Sequence, residues 1–193
     1  MRKLIVTQFM TLDGVVQSPG ADGDTEGGFP YGGWQLPYLD DGDSAADEEF
    51  HKMGALLLGR KTYEAFAAFW PTTGKDFEPF GPIMNRLPKY VASTTLRTTD
   101  WQHSQLLEGD VGKAVSQLKE QAGKDIYVIG SGNLCQTLMN KNLIDEYLLR
   151  IHPLVLGAGK RLFEKDAHRQ DLELIKSYTT KNGILVARYK VKK

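Results

Sequence analysis

The order of apolar and polar positions divides the 193 residues into alternating strand and helix signals. Lys3 to Leu12 is rich in β-branched and aromatic residues and stops at Asp13-Gly14, which predicts a strand ending in a turn. Ala55-Leu56-Leu57-Leu58, held between Gly54 and Gly59, is a short apolar run of the kind covered on both faces of a sheet. Lys89 to Ala92, Ile126 to Ile129 and the longer Glu146 to Val155 are further strands. Between them the pattern turns helical. Ser44 with Asp47 gives a loose capping box that opens a helix to about Gly54. Arg60 to Trp70 places Tyr63, Phe66, Ala67 and Trp70 on one face and is stopped by Pro71. Pro82 to Leu87 reads as another helical turn. Asp110 suits the N-cap of a helix carrying Val111, Ala114, Val115, Leu118 and Ala122, stopped by Gly123. Asn133 to Asn140 turns Leu134, Leu138 and Met139 inward, and two alternating strands, Leu172 to Ser177 and Ile184 to Val191, flank the hairpin signal Asn182-Gly183.

Strand–helix units through residue 140 followed by consecutive strands predict an α/β fold: a mainly parallel central sheet flanked by helices, with antiparallel strands at its C-terminal end. No repeat, linker or composition break appears, so residues 1–193 read as one domain. One stretch breaks the rhythm. Residues 17–43 are dense in Gly, Asp and Pro, yet Phe29, Tyr31, Trp34 and Tyr38 favour an ordered loop with something to pack against.

Composition adds exclusions. Lys+Arg 24 against Asp+Glu 24 gives no general basic field for nucleic acid and no polybasic membrane anchor. Leu4-Ile5-Val6 is interrupted by Thr7 and Gln8 before it reaches signal-peptide length, and no run approaches the ~20 apolar residues of a spanning helix. The single Cys135 fits a reducing compartment. A cytoplasmic protein without nucleic-acid or membrane partners is expected. The neutral sum hides an asymmetry, however: Leu4 to His51 holds ten acids and no Lys or Arg, and residues 52–193 carry a balance of +8. This is either a solvated acidic loop or a division of labour between two ends of one ligand site.

Three strand ends carry candidate anion chemistry. Gly130-Ser131-Gly132-Asn133-Leu134-Cys135 follows a strand and opens a helix, offering backbone N–H groups to a phosphate, but Cys135 stands where a dinucleotide fingerprint needs its third glycine. Gly59-Arg60-Lys61-Thr62 repeats that geometry with two cations that oppose the helix dipole unless an anion lies between. Ser93-Thr94-Thr95 follows a third strand. Ends of neighbouring parallel strands form one crevice, the usual ligand position in open α/β sheets. Other chemistries fare worse. Gly157-Ala158-Gly159-Lys160 lacks the remainder of a Walker loop, and Ser131 is in no nucleophile elbow. The four histidines form no ligand pair, so no metal is expected, and Cys135 reads as a small buried hydrophobe.

In order along the chain, Met10-Thr11-Leu12-Asp13-Gly14, Leu57 to Glu64, Tyr127 to Gly132 and Pro153 to Gly159 with Leu162-Phe163 resemble the dihydrofolate-reductase-like superfamily. More specifically, they resemble the reductase domain of the riboflavin-pathway bifunctional deaminase-reductase. That resemblance implies a three-layer dihydrofolate-reductase-like fold and an NADPH-dependent reductase, often a homodimer, with the cofactor across the C-terminal edge of the parallel strands. Carried over by position, Gly59, Arg60, Lys61 and Thr62 would hold the pyrophosphate and 2′-phosphate side. Ser93 and Thr94 would line the adenosine end, and Gly130, Ser131, Gly132, Asn133 and Leu134 would form a second pyrophosphate cradle. Thr11 and Asp13, with Gly157 and Gly159, would border the substrate.

The chain also departs from the pattern. It shows no paired-Cys zinc signature of a deaminase half, and residues 19–43 lack the cations expected to meet a ribose phosphate. Asp47 and Glu48 are either the counterpart of the pterin-binding carboxylate or a solvated helix start. Trp34 and Tyr38 either stack a flat heterocycle or pack the loop. Asp13 is either a catalytic or hydrogen-bonding group or an Asp-Gly turn residue. The expected function is hydride transfer from NADPH to a small heterocycle, similar to 5-amino-6-(5-phosphoribosylamino)uracil reduction. A dihydrofolate or pterin reductase and a non-catalytic nucleotide-binding protein are the alternatives.

Overall fold

Alternation along the buried strands decides which helices cover which face of the sheet. In the computed structural model, which describes residues 1–20, 26–39, 44–165 and 167–192, the strands are β1 (Leu4–Thr11), β2 (Ala55–Gly59), β3 (Lys89–Ala92), β4 (Ser104–Leu106), β5 (Ile126–Ile129), β6 (Glu146–His152), β7 (Leu172–Thr179) and β8 (Leu185–Val191). The helices are α1 (Ser44–Lys52), α2 (Arg60–Phe69), α3 (Phe80–Arg86), α4 (Val111–Glu120) and α5 (Gly132–Asn140). Leu4 and Val6 of β1 join Leu57, Val128 and Leu149 on the face covered by Val115 and Leu118 of α4 and Leu134 and Leu138 of α5. Ile5, one residue out of phase, joins Leu56, Leu58, Tyr127 and Leu148 on the other face, under Tyr63 of α2 and Ile83 and Met84 of α3. The result is the expected three-layer α/β arrangement.

The strands form one sheet in the order β4-β3-β2-β5-β1-β6-β8-β7. The pairs β3–β4, β2–β3, β2–β5, β1–β5 and β1–β6 are parallel, and β6–β8 and β7–β8 antiparallel. The first strand thus lies between two strands formed more than a hundred residues later, and every parallel strand ends at one edge.

Two of the boundaries that differ from expectation, and one strand that was not expected, have identifiable reasons. The α4 helix stops at Glu120, leaving Ala122 exposed outside it, because the Lys119 carbonyl that the next turn would use accepts the Arg2 N–H at 2.8 Å instead. Strand β6 stops at His152, because Pro153 has no N–H to give the ladder and the Leu154 N–H folds back onto the His152 carbonyl at 2.8 Å. Strand β4 gives no sequence signal, being three partly exposed residues at the sheet edge. Asp110 does cap α4, accepting the Lys113 N–H at 2.9 Å. The side chains of Ser44 and Asp47 and residues 40–43 lie outside the described residues, so the proposed capping box does too.

Near the N-terminal end of β6 the sheet buries a charge network. Glu146 receives Lys3 Nζ at 2.6 Å and Arg188 Nε at 2.6 Å, and Arg188 reaches both oxygens of Glu49 at 3.0 and 3.1 Å. The Tyr127 hydroxyl donates to Glu49 as well. Burial pushes the Glu146 pKa up, but the hydrogen bonds from Lys3 and Arg188 outweigh it and the net direction is down. Arg188 serves both carboxylates. Arg188→Met is therefore expected to destabilise the protein by about 3 kcal/mol in urea unfolding. Lys3→Met, whose side chain is 54% exposed, should cost less than about 1 kcal/mol.

Candidate functional site at the C-terminal edge of the sheet

Strands β2 and β5 deliver two glycine-marked helix starts side by side. Gly130 and Ser131 both adopt the left-handed conformation, at φ 59° and 58°, which turns the chain sharply from β5 into α5. A side chain at Gly130 would press on Thr62 Oγ1 at 3.2 Å, so the turn is glycine both for its φ and for its closeness to α2. Ser131 then joins the two units: its Oγ accepts the Gly59 N–H at 2.9 Å, and its own N–H donates to Thr62 Oγ1 at 3.0 Å. Neither α2 nor α5 has a side-chain N-cap. Two sets of helix-end N–H groups with their positive dipole ends therefore open towards the same edge.

The remaining residues of this cluster are less uniform. Arg60 is drawn down its helix into a two-pronged pair with Glu64, at 3.0 Å to each oxygen. Lys61 is exposed at the same helix start. Ser93 Oγ is used locally, accepting N–H groups of Thr95 and Leu96 at 3.2 and 2.9 Å, and Thr94 is exposed. Leu134 points into the core, so only its backbone is placed at the edge, whereas Gly132 and the exposed Asn133 start the helix there. Cys135 is fully buried, with its thiol pushed up to about 12 by desolvation, as a core residue should be.

A second cluster gathers at the ends of β1 and β6. Thr11 Oγ1 donates to Asp13 at 2.5 Å and accepts the Val15 N–H at 3.0 Å. Asp13 also accepts the N–H groups of Leu156 and Gly157 at 3.2 and 2.9 Å and pairs with Arg161 at 3.2 Å. Burial alone would raise its pKa; the Thr11 hydroxyl and the Gly157 and Leu156 amides overcome this and hold it at about 2. Asp13 thereby ties the turn after β1 to the 154–161 loop. Gly159 lets that loop close on its neighbours, since a Cβ there would meet Val15 and Phe29 at 2.7 Å. Gly157, at φ 73°, has open space around it.

Trp34 and Phe29 are buried against Val15, so the aromatic loop packs onto the sheet edge as its composition suggests. The Trp34 Nε1–H donates to the Gln17 carbonyl at 2.7 Å. Trp34 and Tyr38 both meet the ring of His152, at centroid distances of 5.0 and 5.6 Å and nearly perpendicular planes. Residues 21–25 and 40–43 of this loop lie outside the described residues.

His152 and Gln8 were not among the residues singled out from the sequence. Gln8 lies on β1 between the two clusters and donates to the Gly130 carbonyl and, at 3.4 Å, to Cys135 Sγ. It is a buried amide side chain in a strand that otherwise holds only apolar residues and threonines, which is the signal that marks it. His152 carries a similar signal at the end of its strand, but its surroundings depend on pairing with Thr11, 141 positions away. Glu49, rather than the exposed Glu48, enters the interior, and it does so at the opposite edge, with Arg188; the Asp47 side chain lies outside the described residues. Among the described residues no cluster of three His, Cys, Asp or Glu could hold a metal, and no helix is long and apolar enough to cross a membrane.

Two measurements check this geometry. Asp13→Asn should speed hydrogen exchange at the Leu156 and Gly157 amides while the β1 and β6 amides keep their protection. The folded pKa of His152 is lowered by burial below its ordinary 6.5, so the unfolded chain takes up the proton first. The stability present above pH 6.5 is then lost as pH falls from 6.5 towards the folded value. Arg150, nearby on β6, adds to the lowering. Thermal melts between pH 7.5 and 5 should show the loss, and His152→Gln should flatten it.

The chain matches the family model described as the RibD C-terminal domain over residues 2–186. It is 29% identical over 189 residues to the uncharacterized protein YyaP of Bacillus subtilis (strain 168), covering 95% of this chain and 92% of that one. Among solved structures it is similar to a protein of Shewanella sp. PV-4 provisionally named for riboflavin biosynthesis, with TM-score 0.75, 21% identity and 99% of both chains covered. A pyrimidine reductase-like protein of Corynebacterium diphtheriae shares the fold at TM-score 0.62 and 14% identity, over all of this chain and 92% of that one. With the match spanning nearly its whole length, the chain belongs to the RibD C-terminal domain family.

Proposed function

We propose that this protein is an NADPH-dependent reductase that transfers a hydride to a small planar heterocycle of the pyrimidine or pterin type. The observation that carries the reading is the pair of uncapped helix N-termini, α2 and α5, held together at one edge by Ser131. That arrangement fits a pyrophosphate. Family membership and the likeness to a pyrimidine reductase-like fold agree with it.

NADPH would supply the hydride; the protein's share is binding and orientation. The backbone at Thr62, Gly130, Gly132, Asn133 and Leu134 presents N–H groups to the phosphates, Gly59 sets the turn before α2 with its own N–H held by Ser131, and Lys61 adds charge at the α2 start. Arg60 meets the 2′-phosphate by exchanging Glu64 for it. Exposed i,i+4 pairs are worth only about 0.3–0.5 kcal/mol, so Glu64 is readily displaced. Ser93 and Thr94 lie further along the edge, on the adenosine side. The substrate lies at the other cluster, near Thr11, Trp34, Tyr38, Gly157 and Gly159. Asp13, at a pKa of about 2, carries no proton at neutral pH and acts by holding the turn beneath the substrate. A homodimer is part of the same reading, taken from the family.

Titration followed by nicotinamide fluorescence should give an NADPH dissociation constant of tens of micromolar or below, about −6 kcal/mol or better. Absence of binding in that range would reject the cofactor. Arg60→Ala should weaken NADPH about tenfold more than NADH, since a charge-assisted phosphate contact is lost; equal losses would remove the 2′-phosphate role.

A further inference from the structure

His152 is the last residue of β6, in register with Thr11 at the end of β1, and none of its surface is exposed. Its Nδ1 lies 3.1 Å from the Arg150 carbonyl oxygen and 3.3 Å from that of Met10. Both partners only accept, so the proton sits on Nδ1 and Nε2 keeps a lone pair. Nε2 is itself buried and has no hydrogen-bond partner among the described residues. A buried acceptor without a donor is costly, and native structures leave few of them.

The direction of that lone pair follows from the ring. The two nitrogens of an imidazole face nearly opposite ways, so with Nδ1 turned to the strand backbones, Nε2 faces away from the sheet. The aromatic loop lies on that side. Trp34, perpendicular to His152, is buried and has spent its one N–H on Gln17. Tyr38, also perpendicular, is only half-buried, and its carbonyl is held from outside by Asn182 Nδ2 at 3.3 Å. The Tyr38 ring is thus the wall of the box nearest solvent. Burial and the neighbouring Arg150 guanidinium both disfavour an imidazolium, which preserves the acceptor at neutral pH.

We infer that His152 is the specificity-determining residue of the substrate site: its Nε2 accepts a hydrogen bond from a ring N–H of a planar heterocycle that replaces the Tyr38 ring beside Trp34. This rests on the reading of the C-terminal edge as a reductase site. A neutral acceptor at the floor of an aromatic box selects by hydrogen bonding rather than by charge. It rejects a ligand whose ring nitrogens are alkylated, because Nε2 is then left unpaired again.

The test compares 5,6-diaminouracil with 1,3-dimethyl-5,6-diaminouracil by calorimetric titration of the full chain, after NADP⁺ binding has been recorded separately. The wild type should prefer the unmethylated pyrimidine about tenfold. His152→Asn, which keeps a polar group near the Nδ1 position and removes Nε2, should bring the ratio to about one. His152→Gln, which returns an acceptor near the Nε2 position, should recover most of it. No preference in the wild type, or a preference that survives His152→Asn, would overturn the assignment and leave His152 as loop packing alone. If His152→Asn does not fold, long-range ¹⁵N correlation spectra of the wild type decide. Added 5,6-diaminouracil should move the unprotonated His152 Nε2 signal upfield, and an unmoved signal would overturn the proposal. Binding of NADP⁺ without pyrimidine discrimination defeats this inference alone; failure to bind NADP⁺ defeats the reductase reading and this inference with it.

Discussion

Insertion of β1 between β5 and β6 is the pairing on which the rest of the molecule depends. Leu4 to Thr7 face Ile126 to Ile129 on one side, while Ile5 to Thr11 face Glu146 to His152 on the other. Both partners run parallel to β1, so hairpins cannot make these contacts and the intervening helices must cross the sheet. Parallel order also sorts the chemistry into two edges. At the edge where β6 begins, Lys3, Arg188, Glu49 and Glu146 satisfy one another in a closed network. At the edge where the strands end, helix starts and loops meet, and hydrogen-bonding groups remain unspent.

That second edge is assembled by a few cross-links. Ser131 binds β5 to β2, Gln8 binds β1 to the same turn, and Asp13 with Arg161 binds the end of β1 to the loop after β6. Ser131 even holds a left-handed φ without being glycine, a strain of order 1–3 kcal/mol offset by its two bonds to Gly59 and Thr62. Backbone strain at the junction of two uncapped helices is one reason for placing the ligand there.

Much of the fold was legible because buried parallel strands announce themselves. Leu56-Leu57-Leu58 and Ile126 to Ile129 are continuous apolar runs with no competing helical period, and each is a strand within a residue of expectation. Cys135 and Leu134 also lie where helical spacing puts them. What escaped depends on residues far away in sequence. Nothing around Glu49 distinguishes it from Asp47 or Glu48; its burial is decided by Arg188, 139 positions on. Likewise Arg60 reads locally as a phosphate ligand, and the structure adds that Glu64 holds it. His152 reads as one lone histidine of four until β1 supplies the Met10 carbonyl that fixes its proton.

The charge asymmetry changes meaning in the same way. Ten acids and no Lys or Arg between Leu4 and His51 suggested a half that faces the substrate. Two of those acids, Asp13 at the sheet edge and the buried Glu49, are instead paired with Arg161 and Arg188 from the later, basic part of the chain. The asymmetry is thus in part a folding constraint, drawing the N-terminal segment onto the C-terminal strands and loops. It leaves the floor beneath the aromatic loop to His152, whose buried ring is neutral at pH 7. Charge at this edge secures the scaffold and, on the proposed reading, would hold the anionic end of the cofactor, so discrimination at the proposed substrate end would fall to shape and to single hydrogen bonds. A single unpaired group can be worth a large factor in a buried site of that kind.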